Sequence, residues 1–329
     1  MMALLEVNNL KMYYSVRRGD VKAVDGVSFE IEKGESMGLA GESGCGKSSM
    51  ATTLLRLLPN NGRIVDGSIK FNGQEILTMP EEQFRKEYRW QKMSIIFQGA
   101  MNALNPVLRI GDQIAEAIIT HENASKAEAK KRAGDLLEMV GINSARYRNY
   151  PHEFSGGMKQ RAVIAMALAC NPDLIIADEP TTALDVMVQA QVLEAIQDLR
   201  KKMGLSMMLI SHDLSVIAQT CDKVAIMYAG RIVEYGPAKM VYNAPMHPYA
   251  YGLLSSFPDI KAPKSPVQSI PGSPPNLLEP PSGCRFSPRC PLADAKCRTV
   301  EPELEHLGGN GHLVACHKAG QLGKVGERA

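Results

Sequence analysis

The chain has 329 residues, 45% of them hydrophobic and only 5% aromatic, so its core must be filled mainly by aliphatic side chains and its length exceeds that of one small domain. The 37 basic and 35 acidic residues nearly cancel to a formal charge of +2 without runs of like sign, which argues against a dedicated nucleic-acid binder. The opening residues lack the basic start and apolar stretch of a secretory signal, and no run approaches the roughly 18 apolar residues of a spanning helix; the expectation is a soluble, cytoplasmic protein that meets a membrane only through partners.

From residue 4 to about 235, apolar strand-like runs alternate with amphipathic stretches. Residues 36–40 predict a buried strand and 48–58 the helix after it. Between them runs Gly41-Glu42-Ser43-Gly44-Cys45-Gly46-Lys47-Ser48, which fits G-x-x-x-x-G-K-S/T in the strand–loop–helix context the pattern requires. The glycines let successive N–H groups turn inward as an anion cradle, and the helix start adds the positive end of its dipole. Lys47 would set an ammonium against the β- and γ-phosphates, and the Ser48 hydroxyl would ligate Mg²⁺. The loop alone does not choose among nucleotide-binding families.

A strand is expected at 93–97, followed by a helical insert over about 99–163 in which 124–140 has helical spacing. Within the insert, Phe154-Ser155-Gly156-Gly157 opens a run of helix formers at 158–169; a hydroxyl and bare N–H groups there suit an anion, or simply a helix cap. The strand at 174–177 ends on Asp178 and Glu179. Asp178 can hold Mg²⁺ through its water shell and Glu179 can polarise an attacking water, although the pair alone also suits an acidic turn. Further strands are expected at 207–210 and 223–228. Short apolar runs flanked by helices suit a parallel sheet covered on both faces.

Beyond about Gly236, Pro258, Pro263, Pro266, Pro271, Pro274, Pro275, Pro280 and Pro281 crowd a stretch with little periodicity, which should be extended and irregular. The expected division is 1–235 and 236–329, with no internal repeat. Cys45, Cys170 and Cys221 are scattered, whereas Cys284, Cys290, Cys297 and Cys316 cluster, with five, six and eighteen residues between them. In a cytosolic chain such a cluster reads as metal before disulfide. The spacing is unlike the paired Cys-x-x-Cys of structural zinc; four thiolates and the Cys290-Pro291 pair suit an iron–sulfur cluster, with zinc or four free thiols as alternatives.

Together the motifs resemble the ATP-binding-cassette family, in the family's order, over about residues 5–235. The resemblance implies an α/β fold: a P-loop ATPase core with a mainly parallel sheet, an antiparallel β subdomain and an inserted helical subdomain, plus an irregular, proline-rich, metal-binding C-terminal extension. It implies that Tyr14, or alternatively Tyr13, stacks on the adenine of ATP, and that Gly41, Ser43, Gly44, Cys45, Gly46, Lys47, Ser48 and Ser49 surround the phosphates. Gln98 would be the coupling glutamine, contacting Mg²⁺ together with Ser48 and Asp178. Ser155, Gly156 and Gly157 match the family signature, and Asp185 the loop after the catalytic Glu179. His212, in Ser211-His212-Asp213, matches the switch histidine that contacts the γ-phosphate. Phe154 and Met158 stand where the broad family has leucine and glutamine, as in its peptide-importer branch, and Gly99-Ala100 stand where acid and proline are frequent.

The runs Met246-His247-Pro248-Tyr249, Ile270-Pro271-Gly272-Ser273-Pro274-Pro275 and Gly283-Cys284-Arg285-Phe286-Ser287-Pro288-Arg289-Cys290-Pro291 look like the tail of dipeptide and oligopeptide importer ATPases. Relatives with this tail also serve nickel or oligosaccharides. Members with four such cysteines resemble 4Fe-4S proteins, Zn²⁺ being the alternative cofactor. The implied partners are two transmembrane permease subunits, a second ATPase subunit paired head to tail (a heterodimer in this branch) and, indirectly, an extracytoplasmic solute-binding protein. The implied location is the cytoplasmic face of the cell membrane. Cassette ATPases that work on nucleic acid carry coiled-coil inserts or two cassettes, and this chain shows neither.

Overall fold

Why the chain folds around its strands is visible in a computed structural model, which describes residues 3–182, 184–256, 270–307 and 311–321. Pro258, Pro263 and Pro266 lie outside the described residues. The chain gathers into two compact units, each assembled from separate stretches of sequence: Met1–Leu4, Ile31–Ser36 and Gln74–Ile210 in one, and Leu5–Glu30, Met37–Gly73 and Ser211–Ala329 in the other.

In the first unit, the strands Met93–Ile96, Leu174–Asp178 and Ser206–Ser211 run parallel with Leu174–Asp178 in the middle, in the register Met93↔Leu174, Ile175↔Met207 and Asp178↔Ile210. Leu174, Ile176, Ala177, Met208 and Ile210 are all fully buried, as expected of parallel strands covered on both faces. The helices Ile110–Glu122, Lys126–Met139 and Gly156–Ala167 form the helical insert. Lys126–Met139 starts where the Ser125 hydroxyl accepts the Glu128 N–H. Arg132 pairs with Glu122 and donates to the Ala169 carbonyl, tying the insert's helices together. The long helix Val186–Met203 is capped by Asp185 and stopped by Gly204 at φ 64, with Arg200, Lys201 and Lys202 at the negative end of its dipole.

In the second unit, Leu5–Val16 lies between Gly19–Ile31 and Gly62–Phe71 as an antiparallel sheet, with Leu5↔Phe71 and Tyr14↔Gly62 in register. Leu5, Val7, Leu10 and Met12 face the core; a register irregularity between Asn8 and Lys11, with Asn9 at φ 45, resets the alternation. Ser36–Ala40 pairs parallel with Lys223–Tyr228, and Arg231–Pro237 continues antiparallel. The C-terminal region then adds Leu313–Val314 and Glu305–His306 to that edge.

Residues beyond 236 cluster in one compact unit with the phosphate loop. One knot fastens them. Glu234 is fully buried; its carboxylate accepts the N–H groups of Met246 at 2.9 Å and His247 at 2.8 Å, and lies 2.7 Å from His312 Nε2. A carboxylate is tolerated there because so many polar partners converge on it. His247 is buried as well, which pushes its pKa down to about 3, and its Nδ1 accepts the Tyr249 N–H. The helix expected over 48–58 is shorter, Lys47–Leu54, because Arg56 turns left-handed at φ 53 just before Pro59.

Candidate active site

The phosphate loop leaves the buried strand Ser36–Ala40 and enters the helix Lys47–Leu54. Two of its positions admit only glycine. Gly41 (φ +150) and Gly46 (φ +109) lie so close to neighbouring backbone that an added Cβ would sit 2.2 Å from the Met227 carbonyl oxygen and 2.1 Å from that of Ala23. Lys47 is buried, and its ammonium donates to the loop's own Gly41 and Glu42 carbonyls at 2.7 and 3.0 Å. Ser43, Gly44 and Ser48 face solvent. Cys45 is buried 3.7 Å from Lys47 Nζ; burial raises its pKa. Its carbonyl accepts the Gly230 N–H, which backs the loop with the neighbouring strand turn.

Tyr14 donates its hydroxyl to Ser49 Oγ at 3.0 Å, which places the ring beside the first turn of the phosphate helix. Tyr13 is engaged otherwise. Its hydroxyl donates to Asp25 at 2.6 Å, and burial together with that carboxylate pushes its pKa up to about 12. Burial works against the Asp25 carboxylate, but the hydrogen bond from Tyr13 and the charges of Arg285 and Arg231 outweigh it and hold its pKa below the usual value. Asp25 and Arg285 form an ion pair with both side chains under 8% exposed.

In the first unit, the structure brings together Gln98 and Glu179, 81 residues apart. The Gln98 amide donates to the Glu179 carboxylate at 2.7 Å, and Thr182 Oγ donates to the same oxygen at 3.0 Å. Glu179 has a left-handed φ of 46, a conformation that costs a non-glycine residue about 1–3 kcal/mol. Its N–H bonds the Ile210 carbonyl, so the chain turns sharply as it leaves the buried Asp178. Ser155 caps Gly156–Ala167, and a Cβ on Gly157 would lie 2.5 Å from Val188 Cγ1, on the helix that Asp185 caps. The signature residues and the Asp185 loop therefore pack directly together. Next to Asp185, Val186 and Met187 are 79% and 73% exposed. His212 is exposed just past Ser206–Ser211, and its neighbour Asp213 caps the next helix.

Cys284, Cys290, Cys297 and Cys316 are free thiols, none fully exposed. The Cys284 N–H bonds the Cys297 carbonyl at 2.8 Å. Burial first, and then the neighbouring thiols, push Cys284 up to about 11 and Cys316 up to about 12, with all three other cysteines acting on Cys316. Among the described residues, no group of three or more His, Cys, Asp or Glu side chains is arranged to hold a metal ion, and no helix is long and apolar enough to cross a membrane. The sequence reading missed Asp25, Glu42, Arg285 and Arg289; no local pattern marks them, because their partners lie hundreds of residues away.

A glycine-restricted phosphate loop and a carboxylate pair ending a parallel strand define the class, a P-loop ATPase. Comparison with known proteins narrows it. Residues 24–182 match the ABC transporter family, and residues 233–297 match the oligopeptide/dipeptide transporter C-terminal region. The oligopeptide transport ATP-binding protein OppD of Escherichia coli (strain K12) is 49% identical over 318 residues, covering 96% of this chain and 93% of the relative. The dipeptide transport ATP-binding protein DppD of Bacillus subtilis (strain 168) is 44% identical, covering 95% and 94%. A dimeric post-hydrolysis state of the ATP-binding cassette MJ0796, bound to ADP and Pi, matches with a TM-score of 0.63 at 25% identity over 71% of this chain and 99% of the other. The chain belongs to the ABC transporter ATPases, in the group that carries the oligopeptide/dipeptide transporter C-terminal region.

Proposed function

We propose that this chain is the ATP-binding subunit of an importer, hydrolysing ATP to energise uptake of dipeptides or oligopeptides through partner permeases. One observation carries the reading: 49% identity across 96% of the chain to an oligopeptide transport ATP-binding protein, C-terminal region included. In turnover, Lys47 exchanges its contacts with the Gly41 and Glu42 carbonyls for phosphate oxygens, and the glycine turns present N–H groups to the same anion. Tyr14 stacks on the base. Ser48, Asp178 and Gln98 are the residues that would hold Mg²⁺, which when bound neutralises phosphate charge. Glu179 takes the proton of the attacking water; Gln98 and Thr182 orient its carboxylate. His212 contacts the γ-phosphate.

Ser155, Gly156, Gly157 and Asp185 serve the nucleotide of a second ATPase subunit paired head to tail. The exposed Val186 and Met187 beside Asp185 support a partner there, and the MJ0796 cassette is itself dimeric. The exposed Phe97 and Val107, on either side of the Gln98 loop, support a contact with a permease, which would hold the chain at the cytoplasmic face of the membrane. We assign Cys284, Cys290, Cys297 and Cys316 as ligands of a 4Fe-4S cluster. Four thiols close in sequence and one backbone bond from Cys284 to Cys297 support it, although no group of three or more of their side chains is arranged to hold a metal among the described residues. Protein purified without oxygen should then carry iron and acid-labile sulfide in equal amounts; one equivalent of zinc would replace the cluster assignment with a zinc site. The transport reading is tested with the assembled permease complex in proteoliposomes. Peptide-loaded solute-binding protein should stimulate ATP hydrolysis, and stimulation by nickel or an oligosaccharide instead would refute a peptide substrate.

A further inference from the structure

The phosphate loop carries a charge of the wrong sign. Glu42, its second residue, adds a carboxylate to a loop that must receive a triphosphate, and an uncompensated anion there would oppose ATP. Lys47 does not cancel it, because its ammonium is bound to the Gly41 and Glu42 carbonyls. The compensating cation comes from the far end of the chain. Arg289 Nη1 donates to Glu42 Oε2 at 2.7 Å and Nη2 to Oε1 at 3.0 Å, a two-pronged, charge-assisted pair.

Arg289 is itself fixed. Its side chain is 5% exposed, Nε donates to the Pro271 carbonyl at 2.8 Å, and Nη1 also reaches the Tyr228 hydroxyl at 3.3 Å. The guanidinium lies over the rings of Tyr228 and Phe286, 5.7 and 6.0 Å from their centroids. A second tether holds the same loop residue: the Glu42 N–H donates to the hydroxyl of the buried Tyr249 at 2.8 Å. Four positions before Arg289, Arg285 grips Asp25 on the strand Gly19–Ile31, and the Asp25 carboxylate accepts the hydroxyl of Tyr13 on the neighbouring strand.

We propose that Arg289 is a positioning residue for ATP. By neutralising Glu42 and, with Tyr249, fixing the first turn of the phosphate loop, it makes the C-terminal extension part of the nucleotide-binding apparatus. The inference rests on the phosphate-loop reading above and goes beyond it, since the extension would otherwise be expected to leave nucleotide binding untouched.

The test uses the full chain and ATP itself. Arg289→Met keeps most of the buried volume and removes the charge; it should weaken ATP binding about ten-fold or more, the scale of losing a charge-assisted pair that leaves a carboxylate uncompensated. KM for ATP should rise while kcat at saturating ATP stays within about two-fold, because Glu179 and Gln98 are untouched. Adding Glu42→Gln to Arg289→Met should restore affinity to within about three-fold of the parent, since the offending charge is then gone. A packing role alone gives no such rescue. Unchanged affinity in Arg289→Met, or a loss that Glu42→Gln fails to rescue, overturns the proposal. A parent chain that does not bind ATP overturns the phosphate-loop reading itself, a result distinct from any effect of the variant.

Discussion

Gly46→Ala isolates what the phosphate loop demands of its backbone. Gly46 sits at φ 109 and ψ 5, so any Cβ there meets strain of about 1–3 kcal/mol before contacts are counted. The new methyl would also stand 2.1 Å from the Ala23 carbonyl oxygen and 2.7 Å from Met227 Cε. The methionine can yield, but the carbonyl belongs to the buried Ala23, and forcing it aside costs about another 1–3 kcal/mol. Gly44→Ala is the internal control: φ is +79 and nothing lies within 4 Å, so only the conformational cost of about 1–2 kcal/mol applies. Denaturant unfolding and ATP titration of both variants would separate the terms. Gly46→Ala should lose at least about 2 kcal/mol in stability or, if the loop shifts instead, about 30-fold in ATP affinity, with Gly44→Ala clearly milder in both. Equal effects of the two substitutions would refute the steric reasoning.

Glu179→Gln should keep ATP binding and lower kcat at least about 100-fold, because the amide retains shape without basicity; hydrolysis at the parent rate would remove Glu179 as the base. Asp25→Asn removes the nearer of the two carboxylates facing the buried Arg285, leaving Glu301 Oε1 at 3.7 Å from its Nε, and should cost about 1–3 kcal/mol in denaturant unfolding near neutral pH. The folded pKa of Asp25 lies below its unfolded value, so the carboxylate's stabilisation is present above about pH 4 and is lost as pH falls through the folded value. The stability gap between parent and variant should therefore narrow on acidification, and a constant gap down to about pH 2 would contradict the assignment.

Much of the candidate ATP site can be read from the chain because the chemistry proposed for it is local. The glycines, Lys47 and Ser48 fall within one loop, and an apolar strand ending in Asp178-Glu179 reads directly from the chain. The parallel strands were legible for a similar reason: residues buried on both faces leave uninterrupted apolar runs such as Leu174-Ile175-Ile176-Ala177. What stayed hidden is long-range and electrostatic. Arg289 meets Glu42 across 247 residues and Arg285 meets Asp25 across 260, and no periodicity records such partners. The left-handed turn at Glu179 was equally invisible, because glutamate carries no sign of a conformation that its neighbours impose. The tail's strand pairing through Leu313–Val314 and the buried Glu234 knot could not be read from its composition either.

The most direct test of the central claim is uptake of a labelled dipeptide or short oligopeptide by cells that lack this chain and are complemented with the parent or with Glu179→Gln. Deletion should abolish uptake through this system, the parent should restore it, and Glu179→Gln, expressed to the same level, should not. Uptake that survives deletion, or that Glu179→Gln restores in full, would contradict the account.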